Sequence, residues 1–128
     1  MLDGNIEVQI ADDRSKAIVT FPLLAAAGGV EVSADQLLEM IQTFGRAHQS
    51  MVEGQEAPAL KGRTIRAIFN PSWFVNPELM GEASVLSFYH TAFGPVGFVM
   101  PMDQIEKMVS ILMKQIETTR QDHRAKPN

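Results

Sequence analysis

"GVEVSADQLLEMI" (residues 29–41) decides how this chain is read, because residues 97–109, "GFVMPMDQIEKMV", repeat its plan. Each passes from a short apolar stretch of strand character into an amphipathic helix. Gly29 meets Gly97, Asp35 meets Asp103, Gln36 meets Gln104 and Met40 meets Met108. With a constant shift of 68 residues, residues 16–44 lie over 84–112 without a gap. Apolar positions match too: Ile18 with Leu86, Phe21 with Tyr89, Val30 with Phe98, Leu37 with Ile105, Ile41 with Val109 and Phe44 with Leu112. Ser33 and Gln36 have capping-box spacing, and Asp35 and Asp103 suit the positive end of a helix dipole. The echo therefore points to a duplicated building unit rather than to paired acid–base chemistry.

Working outward, "NIEVQI" (5–10) alternates with period two, with Ile6, Val8 and Ile10 on one side and Asn5, Glu7 and Gln9 on the other, which predicts a half-buried strand. "ADDRS" (11–15) supplies turn residues, "KAIVTF" (16–21) a second strand, "LLAAAGG" (23–29) a loop and "VEV" (30–32) a third strand. Leu37, Ile41, Phe44, His48 and Met51 fall on one face of a helix expected from about Ser33 to Glu53. "EGQEAPALKG" then reads as a linker and "RTIRAIF" (63–69) as a fourth strand. "NPSWFVNPELMGEA" (70–83) carries two Asn-Pro pairs, which push the preceding residues away from helical backbone, and it reads as an irregular excursion inserted between strands. "SVLSFYHT" (84–91) is a fifth strand, "FGPVG" a turn and "FVM" the start of a sixth, with Pro101 in the first turn of a second helix. Ile105, Met108, Val109, Leu112 and Ile116 form that helix's apolar stripe.

The expected fold is α+β: two pseudo-repeated β-β-β-α units forming a mainly antiparallel sheet, or two abutting half-sheets, with two helices packed on one face. The expected organisation is a single domain over 1–128, with a first unit at about 4–53, a linker at 54–62, a second unit at about 63–119 and a frayed tail at 120–128. A unit of about 60 residues buries little surface alone, which favours two units sharing a core.

Composition narrows the chemistry. Cysteine is absent, which removes disulfides, thiolate catalysis and Cys-ligated metal. A net charge of −4 offers no general attraction for a phosphate backbone. No apolar run reaches the ~18 residues of a membrane span, so a soluble cytoplasmic protein with no membrane partner is expected. "AAAGGV" lacks the pattern of a phosphate-cradling loop. His48 stands opposite Ile116 in the repeat and reads as a packing residue, while His90 has no Asp, Ser or second His at triad or metal spacing. No cofactor, metal site or catalytic set is called for.

What remains is apolar and awaits a surface. Trp73, Phe74, Val75, Leu79 and Met80 load the excursion, which is expected either to fold back over the open end of the core as a lid or to dock on a partner or second copy, Trp, Phe and Met being favoured interface anchors. Ile111 lies off its helix's stripe and should be exposed unless another subunit covers it. These residues point to a non-catalytic protein acting through protein–protein contacts, of the adaptor, chaperone or immunity kind, as a homodimer with an unidentified protein partner. The alternative is a small-ligand pocket or weak enzyme site between the two units, lined by Tyr89, His90, Phe93 and the Trp73 segment. Single-stranded nucleic-acid binding is a third reading, opposed by the charge.

Overall fold

A computed structural model describes residues 4–22 and 28–125. The chain is α+β and divides into two compact units, Met1–Arg66 and Ala67–Asn128. In the first, β1 (Glu7–Ile10), β2 (Lys16–Thr20) and β3 (Val30–Ser33) form an antiparallel sheet in the order β1-β2-β3, followed directly by α1 (Ala34–Met51). In the second, β4 (Trp73–Pro77), β5 (Ala83–His90) and β6 (Gly94–Pro101) form an antiparallel sheet in the order β4-β5-β6, followed by α2 (Met102–Ala125).

Register explains the first unit's core. Val8, Val19 and Val30 stand opposite one another across the three strands, as do Ile10, Ala17 and Val32. Directly opposed residues share a face, so one side of the sheet is aliphatic throughout, while Glu7, Gln9, Lys16, Ile18 and Glu31 occupy the other. Lys16 and Glu31 make an exposed ion pair there at 3.5 Å. Ala17, Val19 and Val32 are buried, and Phe21, Leu37 and Met40 pack against them. The helix is set by its capping box: Ser33 Oγ accepts from the Gln36 N–H, and Gln36 Oε1 accepts from the Ser33 N–H. Only its first two turns rest on the sheet; from Gln42 onward every residue of α1 is exposed.

The two hairpins close in the same way. The Ala11 N–H donates to the Lys16 carbonyl and the Arg14 N–H to the Ala11 carbonyl; the Glu78 N–H donates to the Ala83 carbonyl and the Gly81 N–H to the Glu78 carbonyl. Arg14 has φ 63° and Gly81 φ 75° at the same place in each turn. Left-handed backbone costs an L-residue about 1–2 kcal/mol and glycine almost nothing. The first turn offsets this with Asp13, whose carboxylate accepts the Ser15 N–H at 3.0 Å and the Ser15 hydroxyl at 2.7 Å. In the second, a Glu78 carboxylate oxygen accepts the Met80 N–H at 3.1 Å.

Several expectations are corrected. Of the two sheet arrangements expected, the described strands form two three-stranded sheets rather than one continuous sheet. "RTIRAIF" forms no strand: Ile65 is exposed and Phe69 is 97% exposed. The fourth strand is Trp73–Pro77, within the segment expected to be an irregular insertion. Its prolines do not forbid it, because β4 is an edge strand and Pro77 is its last residue, where a missing N–H is tolerated. Asn70, at φ 47°, breaks the extended path just before it. With β4 so placed, the connection to β5 is as short as its counterpart between β1 and β2. The register shifts as well: position 78 answers 11, 81 answers 14 and 83 answers 16, an offset of 67. Buried Ser84 thus stands where Ala17 stands, and the ungapped shift of 68 would have turned β5 over, since one residue of slip exchanges the two faces of a strand.

Residues expected as a turn, Gly94 to Gly97, belong to β6, and Pro101 ends that strand rather than opening the helix. The tail expected to fray from residue 120 is helical to Ala125. The loop expected at "LLAAAGG" falls largely on residues 23–27, which lie outside the described residues.

The two repeated glycines are not equivalent. A Cβ on Gly29 would collide with Ile18 Cγ2 and come within 2.9 Å of Thr20 Oγ1, whereas one on Gly97 would find its nearest neighbour, Ser87 Oγ, at 3.6 Å. Gly29→Ala should lower stability by about 1–3 kcal/mol, and Gly97→Ala should leave it within about 1 kcal/mol, as read by urea denaturation. The donors of Ser15, its N–H first, hold the Asp13 carboxyl below its ordinary pKa. Because the folded value is the depressed one, this support for the turn is present above the unfolded value of about 3.9 and is lost as pH falls through the folded value. NMR titration of the Asp13 carboxyl should give a midpoint below 3.9, moved upward by Ser15→Ala.

Candidate protein-binding surface

The second sheet has two unequal faces. Across its strands Trp73, Phe88 and Val96 form one row, and Val75, Leu86 and Phe98 the next. A third row, Pro77, Ser84 and Met100, lies on the same face beside the start of α2. Phe74, Asn76, Ser87, Tyr89, Pro95 and Val99 occupy the reverse side. On the first face, the row beside α2 holds buried Ser84 and half-buried Met100, Leu86 is half-buried in the next row, and at the far end Val96 is half-buried and Gly94 buried. Moving away from the helix, Trp73 is 68% exposed, Phe98 57% and Val75 47%. Three adjacent rows therefore present three aromatic residues, Trp73, Phe88 and Phe98, and a valine to the outside with no charged residue among them.

The cause is local. β-branched and aromatic residues make β4, β5 and β6 strands, and period two delivers every second one to the same side. Trp73, Phe74 and Val75 come from β4, but alternation separates them: Trp73 and Val75 share a face and Phe74 lies on the other. Leu79 and Met80 sit in the β4–β5 turn and are exposed. Tyr89, the last residue but one of β5, is on the reverse side and lines a shallow cleft of about 190 Å³ at the sheet's end with Phe74 and Pro95 of that side and Trp73 and Phe88 of the other. Pockets for small molecules run from about 300 Å³ upward. His90 and Phe93 do not line that cleft. They stack on each other at the β5–β6 turn with ring centroids 4.4 Å apart, and His90 Nδ1 accepts the Ala92 N–H at 3.0 Å. This histidine locks a turn. Ile111, on α2, is 51% exposed, as are the stripe residues Val109 (50%) and Leu112 (48%) on either side of it.

Phe88, Phe98 and Val96 complete the surface and were not singled out from sequence. The signal was present in the alternation of "SVLSFYH", but assigning a face needs the register against β4, which had been placed elsewhere.

A roomier cleft, of about 420 Å³, lies in the first unit, between the β1–β2 turn and the start of α1. Ile10, Ala17 and Leu37 line it together with Arg14 and Lys16. Among the described residues no group of three or more His, Asp or Glu could hold a metal ion, and no helix is long and apolar enough to cross a membrane. No protein-family model, curated protein or solved structure matches the chain.

Trp73 is the single tryptophan of the chain, so its fluorescence reports this face alone. Acrylamide should quench it nearly as efficiently as a tryptophan in a short peptide; strong protection in the purified protein would contradict the exposed face.

Proposed function

We propose that the protein is a non-catalytic contact module of the adaptor, chaperone or immunity kind, a homodimer that presents the Trp73–Val75–Phe88–Phe98 face to a protein partner. The observation that carries this reading is the exposure of that face. Soluble monomers rarely leave contiguous apolar area of this kind open, and where they do it marks an interaction site. Aromatic residues in adjacent cross-strand rows are rigid, have few rotamers to lose on binding and suit the centre of an interface.

We also infer that the two units derive from one β-β-β-α block. The support is the shared strand order, the identical pair of turn hydrogen bonds and the left-handed residue at the same turn position. In this reading each copy retains an aliphatic or aromatic sheet face wider than its own helix covers, and the second copy has turned its face to binding.

The test is affinity capture from a native lysate with the wild type and with Trp73→Ala/Phe98→Ala. Because both side chains are exposed, the double variant should keep its melting profile to within about 0.5 kcal/mol per site. It should lose a partner held by the wild type, since truncating a central aromatic anchor typically costs 2 kcal/mol or more, about 30-fold in Kd. Identical partner profiles for the two proteins would sink the proposal.

A further inference from the structure

The second helix outlasts the sheet it rests on. α2 spans 24 residues, about 36 Å at 1.5 Å per residue, yet only Ile105 and Met108 on it are half-buried, and every residue from Val109 to Ala125 is exposed. Its apolar stripe does not stop where the cover stops. Met102, Ile105, Val109, Leu112 and Ile116 follow one another at intervals of three and four residues, the spacing that keeps a narrow seam facing one neighbour along a helix. Met108 and Met113 flank it. The outer side carries Lys107, Lys114, Glu117 and Gln121, the last two hydrogen-bonded to each other at 3.2 Å. Such a helix has a solvated back and an uncovered apolar front.

Two observations bear on what covers the front. The first is the residue type at each seam position. Written as a heptad, Val109 and Ile116 take the a positions and Leu112 the d position between them. β-branched residues at a with Leu at d is the combination that favours two parallel strands, so the seam is complementary to a second copy of itself. The first helix has the same spacing in Ala34, Leu37, Ile41, Phe44, His48 and Met51, but a histidine stands where α2 has Ile116, and Gly45 follows Phe44. Its seam is interrupted and that of α2 is not.

The second observation is area. The chain exposes 11739 Å². Two separate compact globules of half the 14.1 kDa mass would together expose about 8,100 Å², leaving an excess of about 3,600 Å². Obligate homodimer interfaces occupy roughly 2,000–5,000 Å² in total, so two chains carry ample uncovered surface to form one.

We infer that α2 pairs in parallel with α2 of a second copy along Val109, Leu112 and Ile116, in a symmetric interface distinct from the Trp73 face. This rests on the reading of the protein as a homodimer and adds the surface responsible. Parallel pairing places like residues against like: Val109 on Val109, Leu112 on Leu112, Ile116 on Ile116. Polar Thr119 and His123 at the next seam positions end the pairing before the helix ends. The two chains' sheets are left with their aromatic faces open, giving a bivalent molecule.

Sedimentation equilibrium on the full chain tests this. The wild type should sediment at twice 14.1 kDa, and Leu112→Asp/Ile116→Asp should weaken the dimer at least about a hundredfold, because each chain would bring unpaired carboxylates into an apolar seam. Ile111→Asp and Trp73→Ala, both off the seam, should leave the dimer intact. Since aspartates could also impair folding, a second measurement uses the natural absence of cysteine: Leu112→Cys should cross-link into a covalent dimer on mild oxidation, and Ile111→Cys should not. A dimer that survives the aspartates, fails to cross-link through residue 112 or dissociates on Trp73→Ala overturns the α2 assignment while leaving self-association in place. A wild type monomeric at all concentrations overturns self-association itself.

Discussion

The structure depends on a mismatch of widths. Three antiparallel strands at about 4.8 Å spacing make a ribbon whose apolar side, with its side chains, is broader than one helix of about 10 Å diameter can cover. In the first unit the cover reaches Ala17, Val19 and Val32 and stops, so that Val8 and Val30, opposite Val19 in the same row, remain exposed. In the second it reaches Ser84 and fades across Leu86 and Met100. Neither helix follows its sheet for more than two turns. Fully burying a valine or a phenylalanine gains about 1.5–3 kcal/mol, and most of that gain is left unclaimed here. A β-β-β-α block of this design is stable to the extent that something else completes it.

That constraint unites the two proposed surfaces. The aromatic rows of the second sheet and the seam of the second helix are both regions where an element's apolar face extends beyond its intramolecular partner. Their chemistry differs. The sheet face is flat and aromatic, which suits recognition of a different protein; the helix face is narrow, aliphatic and regularly spaced, which suits its own duplicate. In the proposed contact module, assembly and recognition are thereby separated, each resting on one kind of secondary structure.

Much of the architecture was legible in the sequence, for identifiable reasons. The capping box at Ser33 and Gln36, the turn residues of "ADDRS" and the clean alternation of "NIEVQI" each encode local structure in a few neighbouring residues. The fourth strand was not legible in this way. "RTIRAIF" and "SWFVNP" both alternate, and the choice between them lies in which can pair with β5 across a hairpin. That pairing is non-local, and proline, read as a veto, pointed away from it, although an edge strand accepts proline. The error then spread. With β4 misplaced, the cross-strand neighbours of β5 and β6 could not be read, so Phe88 and Phe98 stayed outside the candidate surface; Tyr89, His90 and Phe93 were expected to line a small-ligand pocket instead, and Tyr89 and His90 fall on opposite faces of β5. Trp73 could be singled out from composition alone, but the surface it belongs to required the sheet.

The matched hairpin turns bear on how the molecule reaches this state. Every strand pairs with its neighbour in sequence, so contact order is low and each meander can zip up from its own turns, which favours rapid folding. The two turns are built differently. Gly81 enters the left-handed position at little steric cost, while at Arg14 the hydrogen bonds from Ser15 to Asp13 offset that cost. Each three-stranded sheet can thus form from its own turns, without the other as a template.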